Sequence, residues 1–278
     1  MSEIKVRSSY LSHFFDCPKR TLVKIFPEIK EEYNFIEPPR SIGSVIGSGV
    51  HKGIAYALNY KDSQYEPKIS DIIECSVNEV EEIVKNKVLW DAITPNINAG
   101  TGQIEKIDHT FYNQSYRKLN PLRIEHSYSG KISLNSAKIN LSGTPDLINK
   151  GKGVDIIDFK TGVALANYQS QLGAYSLLYQ TNEKVKPEKL MLEFYPRVRK
   201  TKEVEPSFIE YDRIFSEKNA YGTLIEISRL YDLFTAEKDP DYIPANPQSK
   251  LCSPKYCPCF GTDFCKVSKI KRINESNR

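Results

Sequence analysis

Between Gly143 and Gly162 two apolar, β-branched runs flank a polar turn containing two glycines, the pattern of a β-hairpin. Along its second run the period of two puts Val154, Ile156, Asp158 and Lys160 on one face and Asp155, Ile157 and Phe159 on the other. The turn folds Asp146 back beside Asp158 and Lys160. Upstream the period is helical. Residues 8–26 predict a short helix with serines suited to capping, a break at Cys17, and a second helix with Pro18 in its first turn. Pro38 and Pro39 mark a linker, followed by a helix whose stripe is Val50, Ile54, Ala57 and Leu58, with His51 at its edge. Ile72, Ile73, Val77, Val80, Val84, Val88 and Leu89 predict a helix over 69–90, with Cys75 as a small residue inside it. A further helix over 103–119 exposes Tyr112, Tyr116 and Arg117 as candidates for stacking on bases, although such stripes more often pack.

From Leu122 the pattern becomes strand-like. It predicts one strand over 123–128, a hairpin of 131–134 with 137–141 around Asn135-Ser136, strands over 189–195 and 204–211, and helices over 166–179 and 217–234. Strands, helix, strands, helix is the order of an α/β domain with a mixed sheet. The expected organisation is one domain over 1–278: a helical part to 121, an α/β core over 122–236, and a tail from 237 packing back on the N-terminus.

Composition narrows the function classes only a little. The chain has 278 residues, 40% hydrophobic and 27% charged, enough for a sizeable core. No apolar run is long enough to cross a bilayer, and the Met-Ser-Glu start lacks a basic segment followed by an apolar signal core, so a cytoplasmic protein is expected. A net charge of +4 allows a polyanion partner, which would have to be met by a local groove. Six cysteines without a secretion signal argue against disulfides. Four of them, Cys252, Cys257, Cys259 and Cys265, crowd into a tail with little periodicity, which suits a zinc ion or, with Cys17 joining three of them, an iron–sulfur cluster.

Asp146, Asp158 and Lys160 are the candidate chemistry. Two carboxylates side by side repel, and a divalent cation removes the conflict. A neighbouring ammonium can orient or deprotonate the attacking water, giving metal-assisted phosphodiester hydrolysis. Glu125 can add a carboxylate or serve as an ordinary strand residue. Gln171 and Tyr175, four apart, share one helix face. His13 reads as a packed or surface residue.

In this order the motifs resemble the RecB-type nuclease family of the PD-(D/E)XK superfamily, most closely its iron–sulfur branch, which includes CRISPR-associated exonucleases and related phage and archaeal-virus proteins. The carriers are Cys17 in Phe-Asp-Cys-Pro-Lys-Arg, Gly-Ser-Gly-Val-His51-Lys-Gly, Gly143-Thr-Pro-Asp146, Asp158-Phe-Lys160-Thr-Gly, Gln171-Leu-Gly-Ala-Tyr175 and the cysteine tail. The resemblance implies a restriction-endonuclease-like mixed β-sheet flanked by helices, with an N-terminal helical region and a C-terminal cluster segment. It implies that His51, Asp146, Asp158 and the Phe159 backbone carbonyl bind Mg2+ or Mn2+, that Lys160 is the catalytic lysine, and that Gln171 and Tyr175 support the site and touch DNA. The implied activity is exonuclease action on single-stranded DNA ends, with recombination or CRISPR-adaptation proteins as partners. The tail departs from the branch's Cys-x2-Cys-x5-Cys pattern. Cys259 to Cys265 keeps the last gap, but Cys252 and Cys257 compete as the upstream partner, so five cysteines stand for four places in a 4Fe-4S cluster. Cys17, Cys252, Cys257 and Cys265 are the favoured set. A zinc staple, a non-catalytic DNA-binding or assembly subunit, and an RNA-directed nuclease are the competing readings.

Overall fold

The computed structural model describes residues 3–33, 35, 37–61, 63, 65–86, 94–134, 138–198 and 202–268. Its centre is a five-stranded sheet in the order β2-β5-β6-β7-β8, built from Pro121–Ile124, Leu147–Lys150, Val154–Gly162, Lys189–Pro196 and Ser207–Tyr211. β6 and β7 run parallel and the other neighbours antiparallel, so the sheet is mixed. A second sheet of order β1-β4-β3 joins Glu3–Arg7, Lys138–Gly143 and Tyr128–Ser133. The protein is thus a mixed α/β structure of the restriction-endonuclease-like kind, with two sheets where the sequence suggests one.

The second sheet has a local cause. The segment 123–128 does not form the single expected strand, because Glu125 takes a positive φ of 46° and turns the chain out of the first sheet. Residues before it pair with β5, and those after it pair with β4. The expected hairpin of β3 and β4 forms with Tyr128 opposite Gly143; its turn residues, Asn135 to Ala137, lie outside the described residues. β1, in a segment expected to contribute only helices, adds to β4 in parallel. Its pattern of alternate burial, Ile4 and Val6 inward, spans only five residues and is easily lost beside the helix that follows.

Alternation in β6 sorts two cores. Ile156, with Ile148, Leu190 and Leu192, faces α1 (Ser8–Phe14), α7 (Gln169–Glu183) and α8 (Arg213–Glu237). Ile157 and Phe159, with Leu147 and Tyr195, face α4 (Ile42–Asn59), α5 (Ile69–Asn86) and α6 (Thr94–Gln114). The stripe of Val50, Ile54, Ala57 and Leu58 is buried in this second core. Val88 and Leu89, at the end of the expected α5, lie outside the described residues. The helix expected to run to 119 ends at Gln114 and continues as a 3-10 turn, which buries Tyr116 and stacks Tyr112 on it at 5.2 Å. Tyr116 is therefore a packing residue and not an exposed platform.

α4 reaches the sheet through close helix packing. A Cβ on Gly49 would stand 2.6 Å from the Ser76 carbonyl oxygen, and one on Gly53 2.0 Å from Ser76 Oγ, so both must be glycine for α4 to lie this close to α5. The tail sits on the junction of α1 and α2 (Pro18–Ile25). Asn246 Nδ2 donates to the Asp16 carbonyl at 2.9 Å, Ser249 Oγ to Asp16 Oδ2 at 2.7 Å, and Lys19 Nζ to the Phe264 carbonyl at 2.9 Å.

α7 and α8 meet at Gly173, where a Cβ would stand 1.9 Å from the Ser216 carbonyl oxygen. We predict that Gly173→Ala lowers stability by about 1–3 kcal/mol, since backbone must move. Gly222→Ala on α8, where a Cβ meets nothing within 4 Å, should be neutral or stabilising by up to about 1 kcal/mol. Denaturant midpoints of the two variants against wild type check this; equal midpoints would show that the α7–α8 contact can relax.

Candidate active site

Register brings the two aspartates together. Leu147 lies opposite Ile157 in the antiparallel β5–β6 pair, so the residues one step further stand side by side, Asp146 just before β5 and Asp158 at the middle of β6. β6 carries Asp158 and Lys160 on the same face, and Lys160 Nζ lies 2.5 Å from Asp158 Oδ2. This is an ion pair by proximity, off the direction of a good hydrogen bond, and Asp158 Oδ2 is buried without a directed donor. Asp158 Oδ1 faces Gln171 Nε2 at 3.5 Å, and Gln171 Nε2 donates to Tyr175 Oη at 2.9 Å.

The opposite side is built by α4. His51 Nδ1 stands 3.2 Å from Asp146 Oδ1, and Asp146 Oδ2 accepts from the Phe159 backbone N–H at 2.6 Å. Glu125, whose N–H donates to the Asp146 carbonyl at 3.0 Å, lines the same crevice as His51, Asp146 and Phe159. The structure therefore gathers His51, Asp146, Phe159, Asp158, Lys160, Gln171 and Tyr175 around the middle of β6. Asp158 is 1% exposed, and Asp146, Lys160 and His51 lie between 15% and 25%.

Charge is balanced inside this site. Burial pushes the Asp158 carboxyl up, Lys160 opposes that and Asp146 adds to it, leaving it at about 6. Burial works against charge on Asp146, but the His51 imidazole outweighs it and holds the carboxyl below its ordinary value. His51 is raised in return, the Asp146 charge overcoming burial. Lys160 is likewise raised, because Asp158 and Asp146 outweigh its burial. The result is a nest of mutually stabilised charges that would each be costly alone.

Three supporting groups escaped the sequence reading. Lys160 Nζ lies 5.2 Å from the centre of the Tyr168 ring, which covers the ammonium from the side. Ser8 Oγ donates to the Ser142 carbonyl at 3.0 Å, and a Cβ on Gly143 would stand 2.4 Å from that Oγ and 2.8 Å from Tyr175 Cε1. Glycine at 143 thus lets Tyr175 reach the site. The third is Arg197, beside Gly162. An aromatic between the strand and the Gln171 helix was a usable signal for Tyr168; nothing in sequence spacing marks Ser8. His13 lies exposed on α1, and Tyr112 and Arg117 belong to the helical side, where Tyr112 Oη donates to Glu66.

A second gathering of chemistry lies at the tail. Cys17, Cys252, Cys257, Cys259 and Cys265 all line one small cavity with Lys19 and Arg20. A hydrogen bond from Cys259, set against burial, lowers the Cys257 thiol to about 7, and Cys259 is raised correspondingly. Among the described residues, no three His, Cys, Asp or Glu side chains are placed as they stand to hold a metal ion, at either place. No described helix is long and apolar enough to cross a membrane.

No curated protein matches the chain. The solved structure described as "Crystal structure of SSO0001" aligns with 78% of this chain and 85% of its own at 14% identity, but a TM-score of 0.29 carries no argument. A family model, described as PD-(D/E)XK nuclease superfamily, matches residues 9–262 and so takes in His51, both aspartates, Lys160, Gln171 and Tyr175. A mixed sheet whose central strand carries Asp158-Phe-Lys160, in a chain that this family model matches over residues 9–262, places the protein in the PD-(D/E)XK nuclease superfamily.

Proposed function

We propose that this protein is a divalent-metal-dependent deoxyribonuclease acting on single-stranded DNA ends, with a four-iron, four-sulfur cluster stapling its tail to its N-terminal helices. The observation that carries the reading is the convergence of Asp146, Asp158 and Lys160 where β5 begins beside β6, in a chain of a nuclease superfamily. Asp146 and Asp158 set two carboxylates side by side in a buried site, with Lys160 Nζ on one Asp158 oxygen, and such an all-oxygen acidic pair is the donor chemistry a hard divalent ion takes. His51, Asp146, Asp158 and the Phe159 carbonyl would hold magnesium or manganese. Bound there, the ion supplies Lewis-acid stabilisation of a phosphodiester oxygen and a more acidic water.

The chain's own residues do the rest. Lys160, held beside Asp158 and under Tyr168, orients or deprotonates the attacking water and offsets negative charge as it grows on the phosphoryl group. Gln171 steadies Asp158 and is steadied in turn by Tyr175. His51 Nδ1 stands 3.2 Å from Asp146 Oδ1 and fixes the direction of that carboxylate. Both carboxylates with the lysine are intact, which favours an enzyme over a non-catalytic binding subunit.

The cluster reading is supported by five cysteines around one cavity. Cys17, Cys252, Cys257 and Cys265 are the proposed ligands, with Cys259 as the fifth candidate. Lying apart from the acidic site, the cluster holds chain segments together and takes no part in hydrolysis.

End-labelled single- and double-stranded DNA should be degraded with magnesium or manganese and spared with EDTA. Asp158→Ala and Lys160→Ala should each slow that degradation by at least about 100-fold. Either variant retaining wild-type rate would sink the assignment, and the position of released label reports polarity. For the tail, protein purified without oxygen should be brown, absorb broadly near the violet edge of the visible range and carry iron. A colourless preparation loaded with zinc would replace the cluster by a zinc staple.

A further inference from the structure

Arg197 follows β7 directly, one residue past the pair Pro196–Gly162, and its N–H donates to the Gly162 carbonyl at 2.7 Å. Its guanidinium lies on the first turn of α4. A Cβ on Gly43 would stand 2.6 Å from Nη2 and 2.7 Å from Nη1, so glycine at 43 makes the seat. Nε is buried with no acceptor. Burial disfavours its charge.

On the same helix end, Arg40 Nη2 donates to Ser48 Oγ at 2.6 Å and to the Ser44 carbonyl at 3.2 Å. Arg20, Arg123, Arg213 and Arg229 each form an ion pair with a carboxylate. Among the described residues, Arg7, Arg40, Arg117 and Arg197 do not, and of these four Arg197 alone has a buried guanidinium nitrogen without a hydrogen bond. A guanidinium held in place at some cost and left without a counter-charge is poised for an anion from outside, and its fork suits two phosphate oxygens.

The location gives the anion an identity. Lys160 pairs with Phe194 and Gly162 with Pro196, so the Arg197 backbone sits three strand residues beyond Lys160, about 10 Å along the sheet. That reach suits a phosphate a short way along the strand from the one at the acidic site. α4 then runs from Gly43, past Gly47 against Thr161 Oγ1, to His51 beside Asp146, so the arginines and the acidic site lie along one helix.

We infer that Arg197 is a positioning residue that grips the DNA phosphate neighbouring the one to be cleaved. The inference rests on the nuclease reading for its substrate, but its test does not require cleavage. Binding of a fluorescent single-stranded oligonucleotide is measured without divalent cations between 50 and 200 mM salt. Loss of one phosphate contact should reduce the slope of log K against log salt by about 0.7 in Arg197→Gln, with the melting temperature unchanged. Arg197→Lys, which keeps a cation there, should restore the wild-type slope. A general structural defect would lower affinity without this pattern. If Arg197→Gln melts early, Arg197→Met keeps the stem against Gly43, and its slope is compared with that of Arg197→Lys where both are folded. Equal slopes in neutral and cationic variants overturn the subsite. A protein that shows the slope difference yet never cleaves DNA with magnesium or manganese overturns the nuclease reading instead.

Discussion

The pairing of Leu147 with Ile157 is the constraint on which the acidic site depends. A slip of one residue between β5 and β6 would leave Ile156 and Ile157 on their faces relative to β7 but move Asp146 away from Asp158 and turn β5 inside out. Apolar contacts guard against that slip. Leu147 and Ile148 are both fully buried, one in each core, so each core would lose a side chain to the other. The placement of two charges is thus enforced by residues that carry none.

The same economy recurs in α4. Gly49 and Gly53 set its distance from α5, Gly47 approaches Thr161, and Gly43 receives Arg197. A helix with four glycines in eleven residues has weak intrinsic propensity. Tertiary packing has to hold it, and that packing fixes where His51 points. Helix stability and site geometry are therefore the same property here.

Much of this was legible beforehand, because β6 and α4 each show a strong period: Ile156 against Ile157 and Phe159, and Val50 with Ile54 and Leu58. The hairpin, the face shared by Asp158 and Lys160, and the Gln171–Tyr175 pair follow from spacing alone. The splitting into two sheets was not legible, since it turns on one backbone angle at Glu125, a residue whose type does not announce a positive φ. Tyr116 reads as exposed only if the helix runs straight through it; a change to a tighter turn after Gln114 rotates it inward. Arg197 carries no motif, and its isolation from carboxylates is a property of three dimensions.

The contacts of Asp16 with Asn246 and Ser249 span 230 and 233 positions of the chain. During synthesis the α1–α2 junction emerges first and finds these partners last, after the whole sheet has left the ribosome. Such long-range closure slows folding and leaves the early helices without their cover while translation proceeds. The completed fastening then acts as a late checkpoint: a polypeptide truncated before the tail keeps its aspartates and lysine yet lacks the clasp over α1, the helix whose Ser8 adjoins Gly143 and Tyr175.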